Sequence, residues 1–248
     1  MWHDIKLLNA LTGALIGFCA LVLLVAGLWW LAQRPMFALK VITVTGIEKP
    51  ELRHVNALTV KSTVLPRVQG NFFTVNLDSL RLAFETVPWV RRATVRREWP
   101  NRLIVTIEEH QPLGTWGEDG RLLSTDGDVF TANLAEAEED GKLFDFGGPA
   151  GSGKEVASRY QDFRLWFAPL KLSPVAVHLS DRFSWSVRLS NGMTVKLGRE
   201  QSGMKLKEQV ERMIQVYPQL VARMKGRIDS LDLRYPNGLA LSVGGQTS

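Results

Sequence analysis

Within the stretch VPWVRRATVRREWPNRLIVTIEEHQPLGTW, Val87 to Trp116, the part from Pro88 to Glu109 reads as two β-strands joined at Trp99-Pro100-Asn101-Arg102. Proline and asparagine stand there where a turn uses them. Working upstream, FALKVITVTG (Phe37–Gly46) alternates and is β-branched, which predicts a strand. Pro50 is placed to open a short helix, PELRHVNAL. NFFTVN comes next as an apolar knot. LDSLRLAFETV then sets Leu77, Leu80, Leu82 and Phe84 near helical spacing, with Asn76 as N-cap and Pro88 as stop. The expected order is strand, helix, helix, strand, strand.

The hairpin also holds a basic run: Arg91, Arg92, Arg96, Arg97 and Arg102, opposed by Glu98. Side chains alternate along a strand, so these arginines must divide between two faces. A solvated sheet face is one reading. Attraction to anionic lipid head groups or to an acidic partner is the other. The run lacks the aromatic interleaving that base stacking uses, and nucleic acid is not expected as a partner.

From Leu7 to Gln33 the chain carries no charge. A helix crossing a ~30 Å hydrocarbon core needs about 20 apolar residues, and Leu11 to Leu31 supplies them. Trp2 and Trp29-Trp30 flank the run as interfacial rings. A cleavable signal peptide would have a shorter apolar part and a small-x-small site, which WWLAQRP does not offer. We therefore expect an uncleaved anchor. Lys6, opposed by Asp4, faces Arg34 and Lys40 across it, so the positive-inside count is nearly balanced. Everything folded lies after the anchor, which favours a short cytoplasmic tail and 215 residues outside (34–248).

After Gln111 the charge turns acidic as far as Phe146. GEDGRLLSTDGDVF reads as two short strands around Asp-Gly turns. Asp126 and Asp128 lack both the register of a calcium loop and any feature that would separate their pKa values, so they read as turn residues. Gly148 to Lys154 imitates a phosphate-binding loop, with KLFDF before it as a strand and EVASRYQDFRLWF after it as a helix. The next position is Glu155, where the Mg²⁺-binding hydroxyl should stand. The strands beyond that helix read as hairpins, not the parallel crossovers of such enzymes. No nucleotide is expected. Tyr160, Phe163, Trp166 and Phe167 form a core stripe. Asn191-Gly192 signals a hairpin in SWSVRLSNGMTVKLG. Val210, Met213, Ile214, Tyr217, Leu220, Val221 and Met224 line one side of a helix that Pro218 is expected to kink. RIDSLDLRYPNGLALSV ends the chain as two strands meeting at Pro236-Asn237-Gly238.

The bulk numbers narrow the function. With 248 residues, 45% hydrophobic and 22% charged, the chain suits more than one small folded domain and not wholesale disorder. Net charge is +5, and the single cysteine, Cys19, excludes an intrachain disulfide. His3, His54, His110 and His178 are far apart, with no metal-site spacing. No Ser-His-Asp arrangement or cysteine nucleophile outside the apolar run appears, so neither an enzyme nor a cofactor is expected.

NFFTVN, the phrase from Val87 to Trp116, SDRFSW, and DLRYPNGLAL, with the anchor upstream, resemble the bacterial FtsQ/DivIB cell-division family over about residues 7–243. The resemblance implies an α+β chain: one N-terminal transmembrane helix, a POTRA domain (β-α-α-β-β), then a mixed β-sheet domain with helices. We place a cytoplasmic tail at 1–6, the transmembrane helix at 7–33, the POTRA domain at 34–110 and a partner-binding β domain at 111–248. The tail is shorter than is usual for the family. The implied role is a divisome scaffold of the inner membrane, N-terminus cytoplasmic and bulk periplasmic, at the septum. It would recruit the FtsB–FtsL pair and contact FtsK. The matching terminal stretch puts the FtsB–FtsL contact at Tyr235, Asn237, Gly238, Leu239, Ala240 and Leu241, by addition of a strand to an exposed edge. Arg234 and Arg182 are candidates to pair with acidic residues of the partner. RYPNG also reads as no more than a turn, and Tyr235 as core. A POTRA-type secretion or assembly chaperone and a peptidoglycan-modifying enzyme are the alternatives.

Overall fold

The structure, a computed structural model, describes residues 5–32, 37–39, 41–47, 51–200, 205–223, 228–235 and 238–243. Trp2, Asp4, Arg34, Lys40, Pro50, Met224, Pro236 and Asn237 lie outside these. Helix α1 (Ile5–Ala32) contains a 23-residue apolar segment, Leu8–Trp30, long and apolar enough to cross a membrane, and none of it is buried. The chain divides into two compact units, Met1–Glu109 and His110–Ser248.

In the first unit, β1 (Val41–Gly46), α2 (Ala57–Val64), α3 (Leu77–Glu85), β2 (Val90–Glu98) and β3 (Arg102–Glu109) succeed one another. The sheet order is β1-β3-β2. β1 runs parallel to β3, with Val41 opposite Arg102; β2 is antiparallel to β3, with Glu98 opposite Arg102. Leu103, Val105 and Ile107 of β3 are buried with Leu80, Ala83 and Phe84 of α3, which packs along β2. The helix predicted from Pro50 starts later than expected. Glu109, at the end of β3, accepts the backbone N–H groups of Arg53, His54 and Val55 at 2.8–2.9 Å. A segment whose N–H groups are bound that way is held out of a helix, and α2 begins only after Asn56, whose Oδ1 accepts Thr59 N–H at 2.8 Å. Asn76 caps α3 as its sequence suggests, accepting Ser79 N–H at 3.0 Å, a contact worth about 1 kcal/mol. Leu82 departs from the expected stripe and faces solvent.

The basic run divides as strand geometry requires. Arg97 reaches across to the loop before α3 and pins it: its Nε donates to Phe72 O at 2.7 Å and its Nη2 to Val75 O at 2.8 Å. Arg91 pairs with Glu108. Arg92, Arg96 and Arg102 remain exposed.

The second unit is built on one sheet, nine-stranded among the described residues, in the order β12-β11-β10-β9-β8-β7-β4-β5-β6. Its elements are β4 (Pro112–Trp116), β5 (Arg121–Ser124), β6 (Val129–Phe130), α4 (Leu134–Glu139), β7 (Phe144–Gly147), α5 (Gly153–Phe167), β8 (Pro174–Leu179), β9 (Trp185–Leu189), β10 (Thr194–Gly198), α6 (Leu206–Arg223), β11 (Ile228–Asp232) and β12 (Ala240–Val243). Tyr160, Phe163 and Phe167 of α5 and Val210 and Met213 of α6 are buried in one core with Phe146, Val177, Val187, Val195 and Leu231 of the sheet. Each such side chain contributes about 1.5–3 kcal/mol on burial. The Asn191-Gly192 turn joins β9 to β10 in antiparallel register. Trp166, Ile214, Tyr217 and Leu220 are only partly buried, and Val221 is exposed.

The hairpins expected beyond α5 are present, β9 with β10 and β11 with β12, but the expected lack of parallel crossovers is overturned. β7 and β8 are parallel and joined through α5, and β10 and β11 are parallel and joined through α6. A hairpin loop is too short to return a chain to the same end of a sheet, so each parallel pair uses a helix as its crossover.

Candidate functional site

The loop that imitates a phosphate site does sit between a strand and a helix, β7 and α5. What closes it is the β5–β6 turn. A Cβ added at Gly127 would meet Lys154 Cα at 2.4 Å, and one added at Gly153 would meet Gly127 O at 2.5 Å. The first turn of α5 is thus packed against backbone, with a carbonyl oxygen where an anion would need donors. Gly127 has φ +82, a conformation glycine alone adopts without strain.

The terminal strand presents a different surface. β12 pairs with β11, Ala240 opposite Asp232 and Leu241 opposite Leu231, and forms one edge of the sheet. Leu239 and Leu241 pack against the core. Both are partly buried there, so their side chains help hold β12 down. Ala240, Ser242 and Val243 are exposed, as is Gly238. Asn237 lies outside the described residues. Tyr235 is 55% exposed, which rules out the reading of it as core.

Register brings distant residues to the start of this edge. β10 ends opposite the start of β9 (Gly198 with Trp185), so its end lies at the β8–β9 turn. β11 is parallel to β10 and ends beside it, Lys196 opposite Asp232. Arg182, in the β8–β9 turn, accepts a hydrogen bond on its carbonyl from Arg199 Nε at 3.2 Å. The neighbouring Gly198 has φ +78, and a Cβ there would stand 3.0 Å from Arg234 Cγ. Arg182, Arg199 and Arg234 thus gather at one end of the sheet with Tyr235 and Phe183, the latter 54% exposed. Arg199, Phe183 and Ser242 were not legible as site residues, because their place depends on strand pairing and no local motif marks it.

Arg234 does not stand free. Its Nε lies 2.9 and 3.0 Å from the two carboxylate oxygens of Asp232, and its Nη2 is 2.5 Å from Oδ2. The Arg234 hydrogen bonds hold the Asp232 carboxyl below its ordinary value, partly opposed by burial, and Asp232 in turn raises the guanidinium. Arg234 accordingly serves first to hold the chain as it leaves β11. Arg182 has no acidic partner among the described residues.

The first unit holds an apolar cleft of about 780 Å³ between β1 and α2, lined by Val41, Ile42, Val44, Val60, Val64 and Phe84 among others.

The model of the POTRA domain, FtsQ-type, matches residues 37–110, and that of cell division protein FtsQ/DivIB, C-terminal, matches residues 114–234. The chain is 50% identical over 245 residues to the cell division protein FtsQ of Burkholderia pseudomallei, covering 99% of this chain and 95% of that protein. It is 40% identical over 255 residues to the protein of that name from Bordetella pertussis, covering 98% and 93%. The corresponding figures for Nitrosospira multiformis are 36% over 241 residues, 97% and 98%. Both folded units match models of one family and the relatives align along nearly the whole chain, α1 included, so the chain belongs to the FtsQ/DivIB family of cell-division proteins.

Proposed function

We propose that the chain works as a scaffold in the divisome, not as an enzyme, with β12 as the edge that takes a strand from the FtsB–FtsL pair. In this reading α1 crosses the inner membrane, the N-terminus is cytoplasmic, and residues 34–110 and 111–248 act as POTRA and partner-binding modules on the periplasmic side at the septum. The observation that carries it is the open edge of β12, with exposed Ala240 and Ser242 and the arginine–tyrosine cluster at its start. Added-strand recognition draws affinity from the backbone and selectivity from flanking side chains. Arg182 and Arg199 supply charge for acidic residues of the partner, and Tyr235 supplies an amphipathic anchor. The POTRA module carries contacts with FtsK, and its cleft beside β1 is a place for them.

The test is binding of the full chain, in lipid nanodiscs, to the periplasmic segment of FtsB with FtsL. A version ending at Asn237 is run beside it. Binding by the full chain and none by the folded shorter one is the expected result. Equal binding by both would remove β12 from the reading, and binding by neither would remove the partner.

A further inference from the structure

The two ends of the three-stranded sheet differ in what they show to solvent. β1 enters opposite Arg102, so the chain arrives from α1 at the end of the sheet that carries the β2–β3 turn. Residues 33–40 alone separate Ala32 from Val41. That is at most about 30 Å of extended chain. At this end Trp99, in the turn, is 74% exposed and Phe73 is 50% exposed. Phe73 is held in place. The ring of Phe73 lies 4.9 Å from that of Phe37, and Phe72 and Val75 on either side are tied to Arg97. Arg96 and Arg102 flank the turn, exposed, with Glu98 opposite Arg102 and Asp78 at the start of α3 as the acids nearby. At the other end of the sheet the corresponding indole, Trp89, is buried and stacked on His54, and the Glu109 carboxylate is filled by backbone N–H groups.

A large aromatic ring left out of every core, beside arginines and within reach of a membrane anchor, has the chemistry of an interfacial contact. Amphipathic rings favour the head-group layer, and arginines there meet lipid phosphates. We propose that the Trp99 turn, with Phe73, Arg96 and Arg102, rests in the head-group layer of the bilayer that holds α1. The first folded module then lies on its own membrane instead of swinging freely on its tether. This rests on the reading that α1 spans a membrane.

The test uses the full chain in nanodiscs containing anionic lipid, with an environment-sensitive fluorophore on one cysteine at a time and spin-labelled lipid as quencher, the label sitting deep in the acyl chain for Cys19, midway along the Leu8–Trp30 span, and on the head group for the other two positions. The three positions are native Cys19 in α1, Asn101→Cys beside the turn and Glu51→Cys toward the other end of the sheet, the last two in a Cys19→Ser background. Loss of fluorescence at Cys19 and Asn101→Cys, with none at Glu51→Cys, is expected. Adding Trp99→Asp to Asn101→Cys should restore the signal without moving the melt, since the ring is exposed. Quenching at Cys19 while Asn101→Cys behaves as Glu51→Cys overturns the proposal and leaves the anchor standing. Quenching that survives Trp99→Asp also overturns it. Failure at Cys19 itself would remove the anchor reading and this proposal with it.

Discussion

The two edges of the nine-stranded sheet are built in opposite ways. β6 is two residues long, both half-buried, and the ring of His110 stacks on Phe130 at 4.1 Å. β12 is four residues long, with Ala240, Ser242 and Val243 exposed and its outer backbone unpaired among the described residues. An open edge is a hazard, because its unpaired N–H and C=O groups template pairing with any extended chain. Shortness and a stacked ring close that hazard at β6, and nothing among the described residues does so at β12. An edge closed at one end of a sheet and left open at the other is what strand addition by a chosen partner requires.

The strongest way to break this comparison is proline. Adjacent N–H groups of a strand point to opposite sides, so Leu241→Pro and Ser242→Pro between them remove one outward donor and one bond to β11. Both should lower affinity for the FtsB segment by about tenfold or more, read by calorimetric titration. Val129→Pro on β6 should leave that affinity unchanged. Equal losses at the two edges would end the distinction. Tyr235→Ala comes next, with an expected loss of about tenfold and an unchanged melt, because the ring is exposed. A collapsed melt would make Tyr235 structural. Arg182→Glu and Arg199→Glu should slow association a few-fold at low salt, an effect that fades by about 0.5 M salt as screening shortens the reach of charge. Equal slowing at high salt would argue against steering.

The smallest effect concerns Asp232. Its carboxyl sits below the ordinary value when folded, so its contribution to stability is complete above the ordinary carboxylate range and is lost as pH falls through the depressed value. No titration of the melt from this pair is expected between neutrality and the ordinary carboxylate range. Asp232→Asn should flatten only the acid limb of a melt-versus-pH curve. A change near neutral pH would assign the clamp to other groups.

Several elements were legible because their causes are local. The apolar run of α1, the Asn76 cap, the Asn191-Gly192 turn and the stripe of Tyr160, Phe163 and Phe167 each depend on residues a few positions apart. The misreadings have non-local causes. The helix expected from Pro50 yielded to Glu109, more than fifty positions away, whose carboxylate claims three N–H groups. The phosphate-like loop departs from its motif at Glu155, as the sequence says, but not for want of a crossover: the crossover is present, and the Gly127 turn packs against the start of α5.

By itself the sequence determined the apolar run of α1, the order of elements in the first module and the terminal stretch at which to look, since hydrophobic spacing and turn chemistry act over one or two turns of chain. Only the tertiary structure decided that Arg182, Arg199 and Arg234 share one end of a sheet, that Arg234 is held by Asp232, that Leu239 and Leu241 face inward and that β12 is an edge. Strand pairing sets three of the four, the Asp232–Arg234 clamp being a contact two positions apart whose partner the sequence left open, and register is settled by which faces can be buried together across the whole sheet, a sum over contacts that no short stretch contains.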